Sequence, residues 1–230
     1  HKLKAAEAAE GQASVTLEYE GKDVVLSAER VLIAVGFRPN VDDLALGNAG
    51  VDLTERGWIK TDEFGRTNVP NIYAIGDVSG KIQLAPVASA MGRTAAEKIA
   101  GRSPQGYNPD AVPHATYSMP QVAAVGLTQA AAEARGIPVV VGKFDFIANG
   151  KAIGLDDYAG WAKLVCHAET GVVLGGTIIG PEASELLPEI GLAVRLGLTA
   201  SDIAGTIHAH PTLSEILMDA ALDAVSKLKK

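Results

Sequence analysis

The second half of the chain alternates between short strand-like segments and helical ones, and this rhythm restricts the fold more than any other feature. Apolar and β-branched runs predict five strands and two helices: the strands cover 114–118, 121–125, 139–146, 162–167 and 172–179, and the helices cover 128–135 and 184–196. The last two strands are separated by a hairpin-length loop that ends in Gly171. Strands that meet through hairpins, with helices packed to one side, indicate an α+β module with a mainly antiparallel sheet.

The first half of the chain shows a different pattern. Residues 14–19 and 23–26 alternate apolar and polar side chains around Gly21, which predicts a hairpin. The continuous apolar run 30–36 predicts a strand buried on both faces of a parallel sheet, as in α/β domains, and it ends at a glycine. Turn-forming residues at 107–112 separate this part from the α+β module, so we place a domain boundary there. The predicted fold class is therefore α/β plus α+β.

Another predicted strand, 72–75, is followed directly by Gly76 and Asp77. Glycine lets a ligand approach the backbone closely, and a carboxylate can accept hydrogen bonds from vicinal hydroxyls such as those of a ribose. Residues 83–86 then lead into a predicted helix at 87–100, whose positive N-terminal end favours an electron-rich ligand. An ordinary turn followed by a core helix explains the same residues equally well.

A further pattern lies near the end of the chain, in His208-Ala209-His210-Pro211-Thr212-Leu213-Ser214-Glu215. Pro211 disfavours helical geometry at His210, which places that imidazole in a loop before the predicted helix 213–228. A loop imidazole can donate or accept a proton near neutral pH, and a carboxylate on its other ring nitrogen would fix the tautomer. Thr212 and Glu215 also fit a capping box, and on spacing alone this is the commoner explanation.

The composition limits the partners and the chemistry. The net charge of −7 and the pI near 5.2 argue against nucleic acid and anionic membranes as partners. No apolar run is long enough to span a bilayer, and no signal-peptide pattern or metal site is predicted. Cys166 is the single cysteine, so no intramolecular disulfide can form and a cytoplasmic location is expected. A Gly-x-Gly-x-x-Gly loop for a dinucleotide pyrophosphate is also absent.

The motifs together resemble those of the flavin disulfide reductases, the class I pyridine nucleotide-disulfide oxidoreductases. The resemblance implies that His210 is the acid/base for redox-active thiols, that Glu215 orients it, and that the pair acts on the partner subunit's site across a dimer interface. Residues 67–77 resemble the second FAD motif, in which Asp77, beside Gly76, would bind a ribityl hydroxyl of the flavin. The remaining cofactor positions implied by the family are Gln83, Leu84, Ala85 and Pro86 for FAD, and Gly36 for NAD.

Within this family, residues 112–230 resemble the dimerisation domain of the dihydrolipoamide dehydrogenase branch. This implies that 1–37 end an NAD-binding domain, that 38–111 belong to an FAD-binding domain, and that 112–230 form a homodimer interface. It also implies a lipoyl-bearing domain of a 2-oxoacid dehydrogenase complex as a partner. Because the paired thiols and the pyrophosphate loop are absent, we expect the chain to be the C-terminal half of such an enzyme.

Three alternatives stay open. The Leu-x-Pro-Val-Ala pattern around Pro86 is shared with glutathione reductase, which keeps a glutathione reductase-like enzyme possible. The absence of the thiol pair favours a second reading, in which the isolated chain is a non-catalytic, dimer-forming fragment. A non-redox NAD-binding module is weaker, because no residue is predicted to bind the adenine half of the nucleotide.

Overall fold

The computed structural model describes residues 2–228. The N-terminal residues form a three-stranded antiparallel sheet of β1 (Lys2–Ala9), β2 (Gln12–Tyr19) and β3 (Lys22–Ala28), in that order. The predicted hairpin is confirmed as β2 and β3, which pair with Val15 opposite Leu26. The first strand, β1, is not predicted by the sequence pattern.

The prediction of a buried parallel strand at 30–36 is wrong. These residues have no regular secondary structure, and Leu32 is 91% exposed. A strand buried in a parallel sheet needs a hydrogen-bonded neighbour on each side. Every strand pair among residues 2–228 is antiparallel, so the apolar run lacks the neighbours that its sequence favours.

Residues 41–78 fold around a small apolar core made by Val41, Val51, Ile59 and Ala74, and a second small core contains Val87, Met91 and Val112. The predicted strand at 72–75 is wrong, because pairing there stops after one isolated bridge between Arg66 and Tyr73. The predicted helix at 87–100 is confirmed and begins two residues earlier. The helical elements of this part are the 3-10 helices Asp42–Leu44, Gly76–Ser79 and Pro109–Ala111, with α1 (Leu46–Ala49) and α2 (Ala85–Ile99).

The C-terminal part contains a five-stranded antiparallel sheet, which confirms the predicted α+β module. Its strands are β4 (His114–Thr116), β5 (Gln121–Gly126), β6 (Val139–Asp145), β7 (Trp161–His167) and β8 (Val173–Gly180). In space they follow the order β4-β5-β8-β7-β6. All five correspond to predicted strands, with ends that agree within two residues.

Helices cover one face of this sheet. The helices of this part are α3 (Gln129–Ala134), α4 (Gly150–Gly154), α5 (Ala183–Leu196), α6 (Ala200–Gly205) and α7 (Glu215–Ser226). Helix α5 packs on β5 and β8, whereas α7 packs on β6 and β7. Alternate residues of β7, namely Ala162, Leu164 and Cys166, join the core between the sheet and these helices. The short helices α4 and α6 are not predicted by the sequence pattern.

Helix α7 lies unusually close to β6. A Cβ atom built on Gly142 of β6 would lie 2.1 Å from the carbonyl oxygen of Ala220 and 2.7 Å from the Cβ of Ala224. Small residues on both elements therefore set the distance between this strand and the helix that begins at Glu215. Across residues 2–228, no helix is both long and apolar enough to span a membrane.

Candidate functional site

The site is built on the loop that precedes α7 and on the first residue of that helix. The His210–Pro211 peptide bond is cis, and His210 lies in irregular backbone as predicted from its proline neighbour. Glu215 begins α7. The Nδ1 atom of His210 lies 2.9 Å from Oε1 of Glu215, so the structure brings the two residues into hydrogen-bond contact.

The second oxygen of the same carboxylate holds the loop backbone. The Thr212 N–H donates to Oε2 of Glu215 over 2.8 Å. This is one of the two bonds of the predicted capping box. The other is not formed, because the Thr212 hydroxyl donates to the carbonyl of Ala209 and accepts from no described helix N–H. The prediction of Thr212 as the N-cap is wrong, since Ser214 is the N-cap of α7. The contacts of Glu215 with His210 and with Thr212 are compatible, since each uses a different carboxylate oxygen.

The electrostatics of the pair follow from these contacts. The Thr212 N–H, and then the hydrogen bond to His210, hold the pKa of the Glu215 carboxyl below its usual range. An ionised carboxylate accepts from Nδ1–H, which assigns the proton of a neutral His210 to Nδ1 and leaves Nε2 as the free acceptor. The side chain of His210 is 77% exposed and that of Glu215 is 18% exposed, so the imidazole projects from a well-held carboxylate. This arrangement can take a proton from an acidic group that arrives from outside.

His208, two residues earlier, has an anchoring position. Its side chain is 5% exposed, with Nδ1 2.9 Å from the carbonyl oxygen of Thr206 and Nε2 3.1 Å from Oε1 of Glu189 on α5. The ring nitrogens thus face a carbonyl and a carboxylate within the fold. These contacts give His208 a structural role, in contrast to the open Nε2 of His210.

The candidate flavin residues form a second cluster. Gly76 has φ +70°, and a Cβ built on it would lie 3.0 Å from the Cβ of Ala88, so glycine lets the 3-10 helix Gly76–Ser79 touch α2. Asp77 is exposed, and its carboxylate has no hydrogen bond or ion pair with another described residue. The sequence motif therefore places this carboxylate on the element that packs against α2.

The start of α2 is open to a ligand. Leu84 is the N-cap and makes no side-chain capping hydrogen bond, while Ala85 and Pro86 are exposed in the first turn and Gln83 is half-buried just before it. The first backbone N–H groups of a helix have no partner within the helix, so an uncapped N-terminus can donate to an electron-rich group.

Gly36, the candidate NAD residue, does not join either cluster. It is exposed in the irregular segment after β3, has φ +119°, and has no atom within 4 Å of an added Cβ.

Two residues near the dyad are missed by sequence reasoning, namely Asn149 and Glu189. The signal for Asn149 was present, because an asparagine directly before a glycine-rich helical turn is a favoured N-cap.

Two family models match the chain. The model for pyridine nucleotide-disulphide oxidoreductases matches residues 1–92, and the model for the dimerisation domain of pyridine nucleotide-disulphide oxidoreductases matches residues 112–221. Together with the fold and the site, these matches show that the chain belongs to the pyridine nucleotide-disulphide oxidoreductase family.

The curated relatives show which branch of that family the chain is similar to. The dihydrolipoyl dehydrogenase of Geobacillus stearothermophilus is 48% identical over 95% of this chain and 46% of its own length. The dihydrolipoyl dehydrogenase of Chlorobaculum tepidum is 46% identical over 99% of this chain and 48% of its own length. The chain thus spans about half the length of the curated relatives it matches.

Solved structures agree with this placement. LpdA from Mycobacterium tuberculosis has a TM-score of 0.88 at 28% identity, with 96% of this chain and 47% of that chain covered. The Cu(II) complex of RclA, an HOCl-induced flavoprotein disulfide reductase from Escherichia coli, has a TM-score of 0.86 at 26% identity, with 96% and 50% covered. The fold class predicted from the sequence is therefore confirmed at the level of mixed α/β and antiparallel elements.

Proposed function

We propose that this chain is the C-terminal half of a dihydrolipoyl dehydrogenase, which oxidises dihydrolipoamide with NAD⁺ through FAD and a redox disulfide in the other half. The observation that carries the proposal is the dyad, in which Glu215 holds Nδ1 of His210 at 2.9 Å and Nε2 is open to solvent. The identity to dihydrolipoyl dehydrogenases over nearly the whole chain supports the choice of branch.

His210 performs the proton transfer in this proposal. Its Nε2 takes the proton of a substrate thiol, and the resulting thiolate attacks one sulfur of the disulfide while the other sulfur leaves as a thiolate. The ring becomes an imidazolium, which the Glu215 carboxylate stabilises through Nδ1–H. Free imidazole at neutral pH deprotonates few thiols, so the rate must come from proximity and from the carboxylate.

The redox thiols must lie outside this chain. Cys166 is fully buried in the core, and burial raises the pKa of its thiol to about 12. A thiol without partners or solvent access cannot exchange with a substrate disulfide. The burial of Cys166 therefore supports a disulfide supplied by the other half of the enzyme.

The proposal includes a homodimer formed through residues 112–230. The exposed imidazole of His210 faces away from its own core, which suits a dyad that serves the partner subunit's site. The match of residues 112–221 to a dimerisation domain supports this arrangement. We divide the remainder into the end of an NAD-binding domain (1–37) and part of an FAD-binding domain (38–111). The turn-rich linker at 107–112 marks the boundary between the FAD-binding part and the dimerisation domain.

The residues of this chain fit part of an FAD site. The unpartnered carboxylate of Asp77 would bind ribityl hydroxyls, and the uncapped start of α2 at Leu84 and Ala85 would face the flavin carbonyl edge. FAD, when bound, supplies the two-electron carrier between the dithiol and NAD⁺. The NAD site is less complete in this chain, because Gly36 lies in an exposed segment without a neighbouring strand.

A lipoyl-bearing domain as partner and a cytoplasmic location belong to the same proposal.

A second candidate, a glutathione reductase-like activity, is favoured by one observation. Pro86 lies in the first turn of α2, in the Leu-x-Pro-Val-Ala pattern shared with that branch. The two candidates differ in substrate, so parallel assays with dihydrolipoamide plus NAD⁺ and with glutathione disulfide plus NADPH separate them. Without the other half, the chain is expected to be inactive in both assays and to act as a dimer-forming fragment.

The decisive experiment is His210→Gln in the complete enzyme that carries this chain. We expect the turnover of dihydrolipoamide to fall by about 10²–10⁴-fold, the range for loss of a general acid/base. His114→Gln, at an exposed histidine on β4, is the matched control and should keep the activity. An unchanged rate in His210→Gln would remove the dyad from the mechanism. A visible absorption spectrum of the purified chain shows independently whether flavin binds to this half.

A further inference from the structure

Asn149 is a buried polar residue outside the residues assigned above. Its side chain is part of a residue only 3% exposed, directly after the 3-10 helix Phe146–Ala148. A buried carboxamide is costly unless both its oxygen and its nitrogen have partners. Both partners are present: Oδ1 accepts from the Ala152 N–H over 3.0 Å, and Nδ2 donates to the carbonyl oxygen of Thr212 over 3.1 Å.

The first of these contacts decides the orientation of the amide. Asn149 is the N-cap of α4, and only its oxygen can accept the Ala152 N–H. A flipped amide would place donor against donor at Ala152 and acceptor against acceptor at Thr212. The capping bond therefore directs the Nδ2 donor toward Thr212, across 63 residues of sequence.

Thr212 is the residue through which the dyad is held. Its N–H donates to Oε2 of Glu215, while its hydroxyl donates to the carbonyl of Ala209. The carbonyl of Thr212 is left for Asn149. Asn149 thus fixes the carbonyl of the residue whose N–H holds Glu215, although it has no hydrogen bond to Glu215 or His210 itself.

The local hydrogen bonds of the loop cannot replace this contact. The bonds from Thr212 to Ala209 and to Glu215 join residues of one short segment, so they can move together as a unit. Besides the side-chain bonds to the flanking helices α6 and α7, two side-chain contacts join the described loop residues 206–214 to parts of the chain that are distant in sequence: one reaches Asn149, and the other joins His208 to Glu189 on α5. His210 lies between these two anchors.

We propose that Asn149 is a positioning residue for the acid/base dyad, because it ties Thr212, and through Thr212 the Glu215–His210 pair, to α4. This inference rests on the proposed function only for its catalytic consequence. The geometric part, that loss of the Asn149 amide donor releases Thr212 and Glu215, holds whatever reaction the dyad performs.

Asn149→Ser separates the tether from the cap. Serine caps a helix about as well as asparagine, but its shorter side chain cannot reach Thr212. Asn108→Ser is the matched control, because Asn108 caps the 3-10 helix Pro109–Ala111 through Asp110 and has no side-chain hydrogen bond to the described loop residues 206–214. By NMR on the purified chain, we expect the Thr212 amide to exchange about tenfold faster in Asn149→Ser than in the unaltered chain, as for loss of one hydrogen bond. The His210 ring signals should shift as well.

In the complete enzyme, Asn149→Ser should lower kcat by roughly 10–100-fold with little change in KM, because a small displacement of a catalytic group reduces turnover without loss of substrate contacts. Asn149→Asp keeps the cap but places an oxygen against the Thr212 carbonyl, so its loss of kcat should be at least as large. The pH profile of kcat should move in both variants, since the contact of Glu215 with His210 changes, whereas a purely structural defect lowers kcat at all pH values alike.

The outcomes are distinguishable from those of the proposed function. If Asn149→Ser leaves Thr212 exchange and the His210 signals unchanged, the positioning is refuted even where His210→Gln abolishes activity. If His210→Gln is fully active while Asn149→Ser still releases Thr212, the proposed reaction fails and the tether stands. Should neither variant fold, the carboxamide protons of Asn149 in the unaltered chain decide the question, because free exchange with solvent excludes a bond to Thr212.

Discussion

Replacement of Gly142 by alanine should displace α7 from the sheet. The new Cβ would lie 2.1 Å from the carbonyl oxygen of Ala220 and 2.6 Å from the backbone nitrogen of Ala224. Both are backbone atoms within a helix, so they cannot rotate away as a flexible side chain can. Since favourable contact begins at about 3.5 Å, α7 must retreat by roughly 1.4 Å along this direction.

The retreat has a cost in two kinds of contact. The core-facing side of α7 is fully buried and loses packing against β6 and β7; its buried residues are Ile216, Leu217, Ala220, Ala221 and Ala224. Two bonds that join α7 to β6 are stretched, from the Lys143 N–H to Asp223 and from Lys227 to the carbonyl of Val141. Overpacking typically costs about 1–3 kcal/mol, and a clash between backbones belongs at the upper end.

We therefore expect Gly142→Ala to lose about 3 kcal/mol of unfolding free energy, which for a chain of this length lowers Tm by about 6–12 °C. Thermal unfolding followed by circular dichroism measures this, at one protein concentration because dimerisation would shift Tm. Gly154→Ala, at the end of α4 with no atom within 4 Å of the added Cβ, is the control and should leave Tm nearly unchanged. An equal Tm for Gly142→Ala and Gly154→Ala would refute the close packing of α7 on β6.

Two further predictions concern titrating groups. The pKa of Glu215 is lowered in the fold by the Thr212 N–H and then by His210, so its stabilising effect is present above the unfolded-state pKa and is lost as pH falls through the lower folded-state pKa. The Tm advantage of the unaltered chain over Glu215→Gln should hold at neutral pH and shrink progressively as the pH falls below the usual carboxyl range of about 4. A difference that stays constant with pH would contradict this. Burial raises the pKa of the Cys166 thiol to about 12, about four units above an assay pH of 8. A disulfide reagent at pH 8 should therefore label the unfolded chain quickly and the native chain only as it unfolds. Rapid labelling of the native chain would contradict this.

The antiparallel part of the fold is predictable from sequence because its strands find their partners within this chain. The predicted strands corresponding to β7 and β8 are joined by a short loop, and the turn itself brings them into register. The same kind of pattern at 30–36 and 72–75 gives wrong predictions. Those segments have the composition of buried strands, but composition cannot supply the neighbouring strands on which a parallel ladder depends.

The candidate site shows the same division. The His210-Pro211 dipeptide and the spacing to Glu215 predict an imidazole in a loop beside a helix start, and the two side chains do meet at 2.9 Å. Sequence spacing could not choose between a dyad and a capping box. In the structure one oxygen of the Glu215 carboxylate contacts His210, and the other accepts from the Thr212 N–H. Asn149 could not be connected with the loop from sequence, because its partner Thr212 lies 63 residues away.

By itself the sequence determined what depends on short-range chemistry: the hairpins, the loop position of His210 and the inability of a single cysteine to form an internal disulfide. Tertiary structure alone decided which helix lies against which strand, that Cys166 is sealed in the core, and that Asn149 and Glu189 hold the dyad loop from two sides. The physical reason is the range of the interactions involved. Local hydrogen bonds and backbone preferences act within a few residues, whereas burial and long-range contacts depend on how the whole chain packs.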